Sequence, residues 1–412
     1  MSDNIKKRST VNNKTSGNNS DAPLKEQKKY FDTLSDKYLK ASHILYIALA
    51  ACLLLTLLFN AKLLTYNNFN YLIRDFNAAI DLASENYNSI SYSNDELRVT
   101  KNFRGGIITA STNDMTIYTA TGKKTLQLNE TFISPQIATS QKYAIIYDLG
   151  GVNYSIYNSF ARVHHNSSKF PISFITISEN GWYAIVSKDS DHNSIVYLYD
   201  DDFSLRNTYY YAHKYVFSVS INDKASKIGI VTAESDPSGD KFSTFVDIYE
   251  PKQDRVSFSV KLGSALPCGS AFNDNEVIQI ICTDGIYTVD ENDGTIKNSY
   301  SIDPQCIGKI SIGKFGCAVL TSNKIQSTYS TVWVFDKNGK MIYNTDINNG
   351  IFDLELFENN VFINQNDSIL KINVSNGKQT VTPVSDKGFD IIVYNSNNIL
   401  LCCQTKAKYI KL

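Results

Sequence analysis

Residues 332–343 have the sequence VWVFDKNGKMIY, and related segments recur through most of the chain. The segment begins with β-branched and aromatic residues, which favour extended strands. Asn338-Gly339 supplies residue types that accept the positive φ angles of tight hairpin turns. A second strand-like run, residues 341–343, follows at once. The segment therefore predicts two antiparallel strands joined by a short turn.

This hairpin occurs eight times within residues 88–412. Two strand-like runs precede each copy, as in residues 216–235, and a fourth run follows the turn. Four antiparallel strands in about forty residues make one blade of a β-propeller. The sequence predicts an all-β propeller of seven to eight blades; eight is favoured, and seven would result from a wrongly divided unit. The equivalent positions are Tyr118, Tyr157, Tyr199, Tyr249, Val289, Phe335, Val374 and Tyr409, at spacings of 39, 42, 50, 40, 46, 39 and 35 residues.

The two ends of the repeat region complement each other. The last unit ends at Leu412 after its third strand, so it lacks a fourth. Residues 88–93 (NSISYS) precede the first complete unit and are predicted to supply that strand. Such an exchange would join the first and last blades and leave no open sheet edge.

A second signal lies near the N-terminus, in Ile44–Phe59 (ILYIALAACLLLTLLF), which carries no formal charge. With its flanks it is about twenty residues long, enough to cross a hydrocarbon core of ~30 Å. We predict a transmembrane helix at residues 41–64. A cleaved signal peptide and a lipid-attachment site at Cys52 are alternatives. The long polar lead-in and the apolar run after Cys52 favour an uncleaved anchor.

The segments around this helix predict its orientation. Residues 1–40 hold nine Lys/Arg and five Asp/Glu, and basic residues before an apolar helix tend to stay in the cytoplasm. We expect a basic cytoplasmic tail, disordered over residues 1–27 with a short helix at 28–40, and an extracytoplasmic domain at 88–412. Residues 65–87 show a helical apolar period and predict an amphipathic stalk helix, which would pack on its own domain or on a second copy.

Motifs for catalysis, metal or cofactor binding do not emerge. The sequence contains no nucleophile elbow, zinc-binding HExxH pair or phosphate-binding loop. The adjacent His164 and His165 would point to opposite faces of a strand, so no metal site is predicted. The acidic turn at residues 290–294 lacks the later Glu of a calcium loop. A net charge of −1 argues against a nucleic-acid partner.

The cysteines and tyrosines give weaker indications of the thiol state and of a binding surface. Six cysteines follow the apolar segment, and their placement in apolar runs favours buried thiols over disulfides.

Tyrosine is frequent, and one dense group falls between two blades. Tyr side chains combine apolar area with a polar tip, which suits peptide or glycan recognition. The alternative is an ordinary exposed outer strand. The predicted binding rim consists of Tyr209, Tyr210, Tyr211, His213 and Tyr215.

The repeats VWVFDKNGKMIY and SILKINVSNGKQT (residues 368–380) resemble those of quinoprotein-type eight-bladed propellers. That family's repeat ends in a tryptophan that docks one blade on the next, whereas this chain has only Trp182 and Trp333. The resemblance therefore implies the propeller architecture and not a quinone cofactor. The whole layout, including residues 177–203 and 213–233, is similar to uncharacterised single-pass membrane proteins of clostridia and their relatives. This second resemblance implies fold and location but no activity.

Together these features predict a non-enzymatic interaction or scaffold module at the cell surface. Its partners would be the membrane, through a single span, and a surface protein or cell-wall component. The alternatives are an extracytoplasmic sensor of a peptide or glycan and a wall hydrolase. A hydrolase should show convergent carboxylates in the propeller channel, with raised pKa values. An interaction module should show an apolar, tyrosine-rich patch.

Overall fold

The structure is a computed structural model that describes residues 21–59, 66, 69–71, 73, 74, 76, 89–92, 98–235, 242–251, 253, 255–273, 276–302, 306–322, 330–347 and 350–412. The chain divides into two compact units, residues 1–72 and 73–412. Each unit is described by itself.

Among its described residues, the first unit has a long helix, α1 (Asp21–Phe59), of 39 residues. Pro23 lies in its first turn, where a missing N–H leaves no hydrogen bond unmade. The helix begins within residues 1–27, the range predicted to be disordered, and residues 1–20 lie outside the described structure. Within α1, the stretch Lys28–Leu55 is long and apolar enough to cross a membrane. The large apolar side chains of the span, from Ile44 to Leu55, are each more than half exposed.

The second unit contains 32 strands in eight four-stranded antiparallel sheets, so the prediction of eight blades is confirmed. Each blade is a meander whose strands follow one another from the channel outward. Blades 1 to 4 consist of β2 (Val99–Phe103), β3 (Gly106–Ala110), β4 (Met115–Tyr118) and β5 (Lys124–Leu128); β6 (Pro135–Thr139), β7 (Ala144–Asp148), β8 (Asn153–Tyr157) and β9 (Arg162–Ser167); β10 (Ile172–Ile177), β11 (Tyr183–Ser187), β12 (Ser194–Tyr199) and β13 (Leu205–Tyr211); and β14 (Tyr215–Ile221), β15 (Ile228–Ser235), β16 (Phe242–Tyr249) and β17 (Val256–Gly263).

Blades 5 to 8 continue the pattern, and the last one is completed from the start of the unit. They consist of β18 (Pro267–Phe272), β19 (Val277–Cys282), β20 (Gly285–Asp290) and β21 (Ile296–Ser301); β22 (Cys306–Gly313), β23 (Gly316–Ser322), β24 (Ser330–Phe335) and β25 (Met341–Ile347); β26 (Ile351–Phe357), β27 (Asn360–Gln365), β28 (Ser368–Asn373) and β29 (Gln379–Pro383); and β30 (Asp390–Asn395), β31 (Asn398–Cys402), β32 (Lys406–Lys411) and β1 (Ile90–Ser91).

The closing strand β1 confirms the exchange predicted for residues 88–93. Ile90 pairs with Ala407 and Ser91 with Lys406, in an antiparallel register. Tyr92 extends the attachment, since its N–H donates to the Thr405 carbonyl at 3.0 Å and its hydroxyl to the Cys403 carbonyl at 2.7 Å. Two paired residues and one tyrosine therefore close the ring.

Apolar side chains fill the gap between every two neighbouring blades. The second strand of a blade is covered on both faces, and in β11, β19 and β27 every residue is buried. The repeat positions lie within two residues of the end of the third strand. The glycines after them adopt positive φ, as in Gly339, where φ is 75° and a Cβ would meet Oγ1 of Thr288 at 2.0 Å.

Four cysteines are buried free thiols, as the sequence favoured: Cys282, Cys317, Cys402 and Cys403.

Phe203 links blade 3 to blade 2 from an uncommon backbone conformation. Its φ is 64°, and its ring centroid lies 5.3 Å from that of Tyr143 and 4.8 Å from that of His164. We expect Phe203→Ala to lower the free energy of unfolding by about 2 kcal/mol, because it removes these contacts and keeps the positive φ. Phe203→Gly should cost about 1 kcal/mol less, because glycine accepts that φ. Urea unfolding of both variants tests this order, and equal stability of the two would contradict it.

Candidate functional site

The meander gives the propeller two different ends. At one end, which we call the mouth end, the first and third strands of each blade begin and its second and fourth strands end. The opposite end is called the turn end, because it holds the short hairpin turns of the repeat. The innermost strands β2, β6, β10, β14, β18, β22, β26 and β30 surround the channel that runs between the ends.

The predicted tyrosine rim is only partly exposed. In β13, Tyr209 and Tyr211 are buried, whereas Tyr210 between them is 60% exposed, because successive residues of a strand point to opposite faces. The hydroxyl groups of Tyr211 and Tyr249 lie 3.0 Å apart within the core. Tyr209 and Tyr211 therefore cannot belong to a surface rim. His213 and Tyr215 are exposed and follow at the mouth end, so a binding role of Tyr210, His213 and Tyr215 stays a prediction.

Exposed apolar side chains are concentrated at the mouth end. In the described part of residues 98–412, exposed large apolar residues occur in only two settings. Seven lie singly in outer strands, which is ordinary for a solvated sheet edge. The other eight all lie at the mouth end, in strand beginnings or in the connections beside them: Ile133, Leu149, Val152, Tyr215, Phe217, Phe242, Phe352 and Phe389.

Arg74, one of the few described residues that precede the propeller, contacts the turn end. Among residues 65–87, predicted as an amphipathic helix, the few that the structure describes are helical, and the rest lie outside the described residues. Arg74 donates to the Arg104 carbonyl at 2.8 Å and to Oγ of Ser159. Both acceptors lie in turns at the turn end. Arg74 thus contacts the end opposite the exposed apolar residues.

Three carboxyl groups converge in the channel where blades 7 and 8 meet. Oδ2 of Asp353 accepts the N–H of Ile391 at 2.9 Å, and Oε2 of Glu355 accepts the N–H of Val393 at 3.1 Å. Asp353 and Glu355 are two residues apart on β26, so they share one face. They bond to the free edge of β30, on which Asp390 lies within hydrogen-bond reach of Asp353. The carboxylates thus hold one inner strand to the next.

Burial shifts the protonation of this group. Loss of hydration raises the pKa of Glu355 to about 8, and the negative charges of Asp353 and Asp390 act in the same direction. Burial and the neighbouring Asp353 carboxyl also raise the pKa of Asp390. Lys101 and Lys309 oppose these shifts only in part. Nζ of Lys309 lies 3.8 Å from Oδ1 of Asp353 and is nearly half exposed.

Asn364, which is fully buried, lies beside the carboxyl groups. It faces Asp353 in the register of β26 and β27, so the two side chains share one face of blade 7. Its Nδ2 donates to the Gly388 carbonyl at 2.9 Å, two residues before Asp390. Its Oδ1 has no hydrogen-bond partner within the described structure. Asp353, Glu355, Asp390 and Asn364 are called the acceptor cluster below.

The two adjacent histidines contact neighbouring side chains. His165 Nδ1 lies 2.9 Å from Oγ of Ser155, while His164 stacks on Phe203. No group of three or more His, Cys, Asp or Glu residues among those described is arranged to hold a metal ion. A groove between blades 8 and 1 is lined by Tyr92, Asp114 and Lys124. Beneath it, the buried Arg98 pairs with Asp114 at 3.5 Å.

The acceptor cluster was absent from the predicted site residues. Its only local signal is the alternation of acidic and apolar residues in FDLELF, residues 352–357. Such alternation is also typical of a half-exposed strand. The partner residue Asp390 belongs to the next blade, so its proximity depends on the tertiary structure.

Solved structures with the same fold share little sequence with this chain. Sqt1 of Saccharomyces cerevisiae matches with a TM-score of 0.59 and 10% identity, over 79% of this chain and 98% of Sqt1. BamB from Moraxella catarrhalis matches with a TM-score of 0.52 and 11% identity, over 79% and 100% of the two chains. The C-terminal WD40 domain of Sif2 matches with a TM-score of 0.54 and 12% identity, over 78% of this chain and 99% of that domain. At these identities the likeness establishes the fold alone.

Sequence comparison identifies a family to which no function is assigned. No curated protein sequence matches the chain. A family model described as a family of unknown function, DUF5711, matches residues 83–412, which include the complete propeller. The eight-bladed propeller agrees with the fold implied by the quinoprotein-type resemblance. The chain belongs to the DUF5711 family.

Proposed function

We propose that this protein is a membrane-anchored, extracytoplasmic interaction module that binds a surface protein or cell-wall component through its mouth end, without catalysis. One observation carries the proposal: outside the outer strands, the exposed large apolar residues of the described propeller lie at that end. Clustered apolar side chains among polar ones are typical of protein-binding surfaces. The apolar span in α1 and the basic residues before it support the anchor and its orientation.

The position of Arg74 supports the choice of the mouth end. Arg74, which precedes the propeller in the chain, contacts Ser159 and Arg104 at the turn end. The mouth end has the larger exposed aromatic surface, with Tyr215 and Phe217 on blade 4 and Phe352 and Phe389 on blades 7 and 8. Aromatic anchors of this kind dominate binding energy at interfaces.

The proposal is tested by affinity capture with the full-length protein solubilised from membranes. We expect the double variant Tyr215→Ser, Phe217→Ser to lower partner affinity at least tenfold, because it removes two exposed aromatic side chains from the mouth end. The matched control, Val256→Ser with Ile296→Ser, removes exposed apolar groups from outer strands and should retain the partner. Equal capture by the two double variants would contradict a mouth-end interface.

A hydrolase remains the second candidate, because three carboxyl groups converge in the channel and two have raised pKa values. Their geometry favours binding over glycoside hydrolysis. Glycosidases hold two carboxyl groups about 5–9.5 Å apart with free oxygens facing the sugar, whereas the pKa of Asp390 is raised partly by the neighbouring Asp353 carboxyl. Asp353 and Glu355 also accept backbone N–H groups. A sensor of peptides or glycans would instead show a ligand-dependent rise in melting temperature.

A further inference from the structure

We infer that the acceptor cluster at the mouth end binds a protonated amine or guanidinium group. The inference rests on the proposed function, because it gives the chemistry of the group that a bound partner would place in the channel. It is carried by the hydrogen-bonding capacity of the cluster, by its charge and by the aromatic residues beside it.

Acceptors in the cluster outnumber the donors supplied by the protein. Asp353 and Glu355 each accept one backbone N–H through one oxygen. Oδ1 of Asp353 faces Lys309 at 3.8 Å, too far for a full hydrogen bond, so this carboxylate can accept a further donor. Oδ1 of Asn364 is a buried acceptor with no partner in the described structure. Leaving such an atom unpaired costs about 1–3 kcal/mol, which a donor would recover. An ammonium group has three N–H donors and no acceptor, which complements this arrangement.

The charge of the cluster is incompletely balanced by the protein. Three carboxyl groups face two lysines, of which Lys309 lies beyond hydrogen-bond distance of Asp353 and Lys101 is exposed. The cluster therefore retains protons near neutral pH, as the raised pKa values of Glu355 and Asp390 show. A cationic guest would replace those protons, so its binding should strengthen as the pH rises.

Two partly exposed aromatic residues adjoin the acceptor cluster in the chain at the mouth end. Phe352 and Phe389 directly precede Asp353 and Asp390, and they are 37% and 45% exposed. An aromatic face attracts a cation and also covers its alkyl stem. A bare metal ion fits less well, because no three His, Cys, Asp or Glu residues among those described are arranged to hold one.

The test is calorimetric titration of the full-length protein in nanodiscs. The probes are Nα-acetyl-lysine methylamide, its arginine and norleucine counterparts, and methyl glucosaminide. We expect at least one cationic probe to bind tenfold or more tightly than norleucine, with proton release, and more tightly at pH 8 than at pH 6. The glucosaminide distinguishes an amino sugar from a basic side chain as the source of the cation.

Variants locate the binding. Glu355→Gln, Asp390→Asn and Asn364→Leu should each weaken the preferred cationic probe about tenfold, whereas Asp386→Asn, which changes a mouth-end carboxylate paired with Lys406 and Lys408, should not. Asn and Gln copy the protonated carboxyl shape, and thermal unfolding verifies that these variants are folded. Equal binding of all probes, or unchanged affinity in the cluster variants, would overturn the inference.

Failure of the inference and failure of the proposed function give different results. Capture of a partner that depends on Tyr215 and Phe217, without any cation selectivity, would retain the interaction module and reject the amine site. Cation-selective binding, together with partner capture that does not depend on Tyr215 and Phe217, would retain the amine site and reject the mouth-end interface.

Discussion

Replacing Ile90 by aspartate is expected to open the propeller ring between blades 8 and 1. Ile90 is 2% exposed and pairs with Ala407, among a cluster that includes Ile107 and Leu400. An unpaired carboxylate at this position would lower the free energy of unfolding by about 3–5 kcal/mol. Loss of β1 would also leave β32 as an exposed edge, which invites pairing with other chains. Thermal unfolding, limited proteolysis and size-exclusion chromatography would record both effects.

Neighbouring substitutions separate this effect from general damage to the strand. Ser91→Asp changes the exposed partner of Lys406 and should leave the melting temperature nearly unchanged. Ile90→Val keeps the apolar contact and should cost about 1 kcal/mol. If Ile90→Asp melts at the same temperature as Ser91→Asp, β1 does not hold the ring closed.

The stability of the propeller is expected to fall as the pH rises from about 4.5 to about 8. Within that interval the folded state retains the Glu355 proton that the unfolded chain has lost, because burial raises the pKa of Glu355 to about 8. The folded state therefore binds more protons, and the free energy of unfolding decreases with pH. Glu355 is only partly buried, so solvent screens its charge, and we expect a change of roughly 2–3 kcal/mol. Asp390 should add to it in the same direction.

The variant Glu355→Gln tests this pH dependence. Its amide copies the protonated carboxyl and still accepts the N–H of Val393, so its stability should match the wild type near pH 5 and exceed it near pH 8. Denaturant titrations at several pH values measure the difference. Glu358→Gln, an exposed substitution that follows the same strand, provides the control. A pH slope in Glu355→Gln as steep as in the wild type would assign the effect to other groups.

Much of the fold was predictable because its determinants are local. Each blade repeats the residues at the end of its third strand, such as Phe335, and the glycine that follows, such as Gly339. These local residues predict the hairpin of the blade directly. The closing strand was predictable because the last unit has three strands where the others have four. The start of α1 at Asp21 was not, because the polar residues before Tyr30 give little hydrophobic period.

Site residues were harder to predict because they depend on contacts between blades. Tyr209 and Tyr211 form a dense aromatic run with Tyr210, but the strand period buries two of the three. Asp353 and Asp390 come together only through the packing of blade 7 on blade 8. Composition cannot report such a contact, and neither residue belongs to a recognisable motif.

The two-residue closing strand also sets the order in which the protein can fold. Its partners Ile90 and Ala407 are more than three hundred residues apart in the chain. During synthesis β1 emerges before any blade, yet its pairing strand β32 is the last to be made. The ring can therefore close only after translation has passed residue 407, and the growing chain must keep β1 unpaired until then. Contacts of such high sequence separation form slowly, so ring closure is the step at which chaperones or premature association would act.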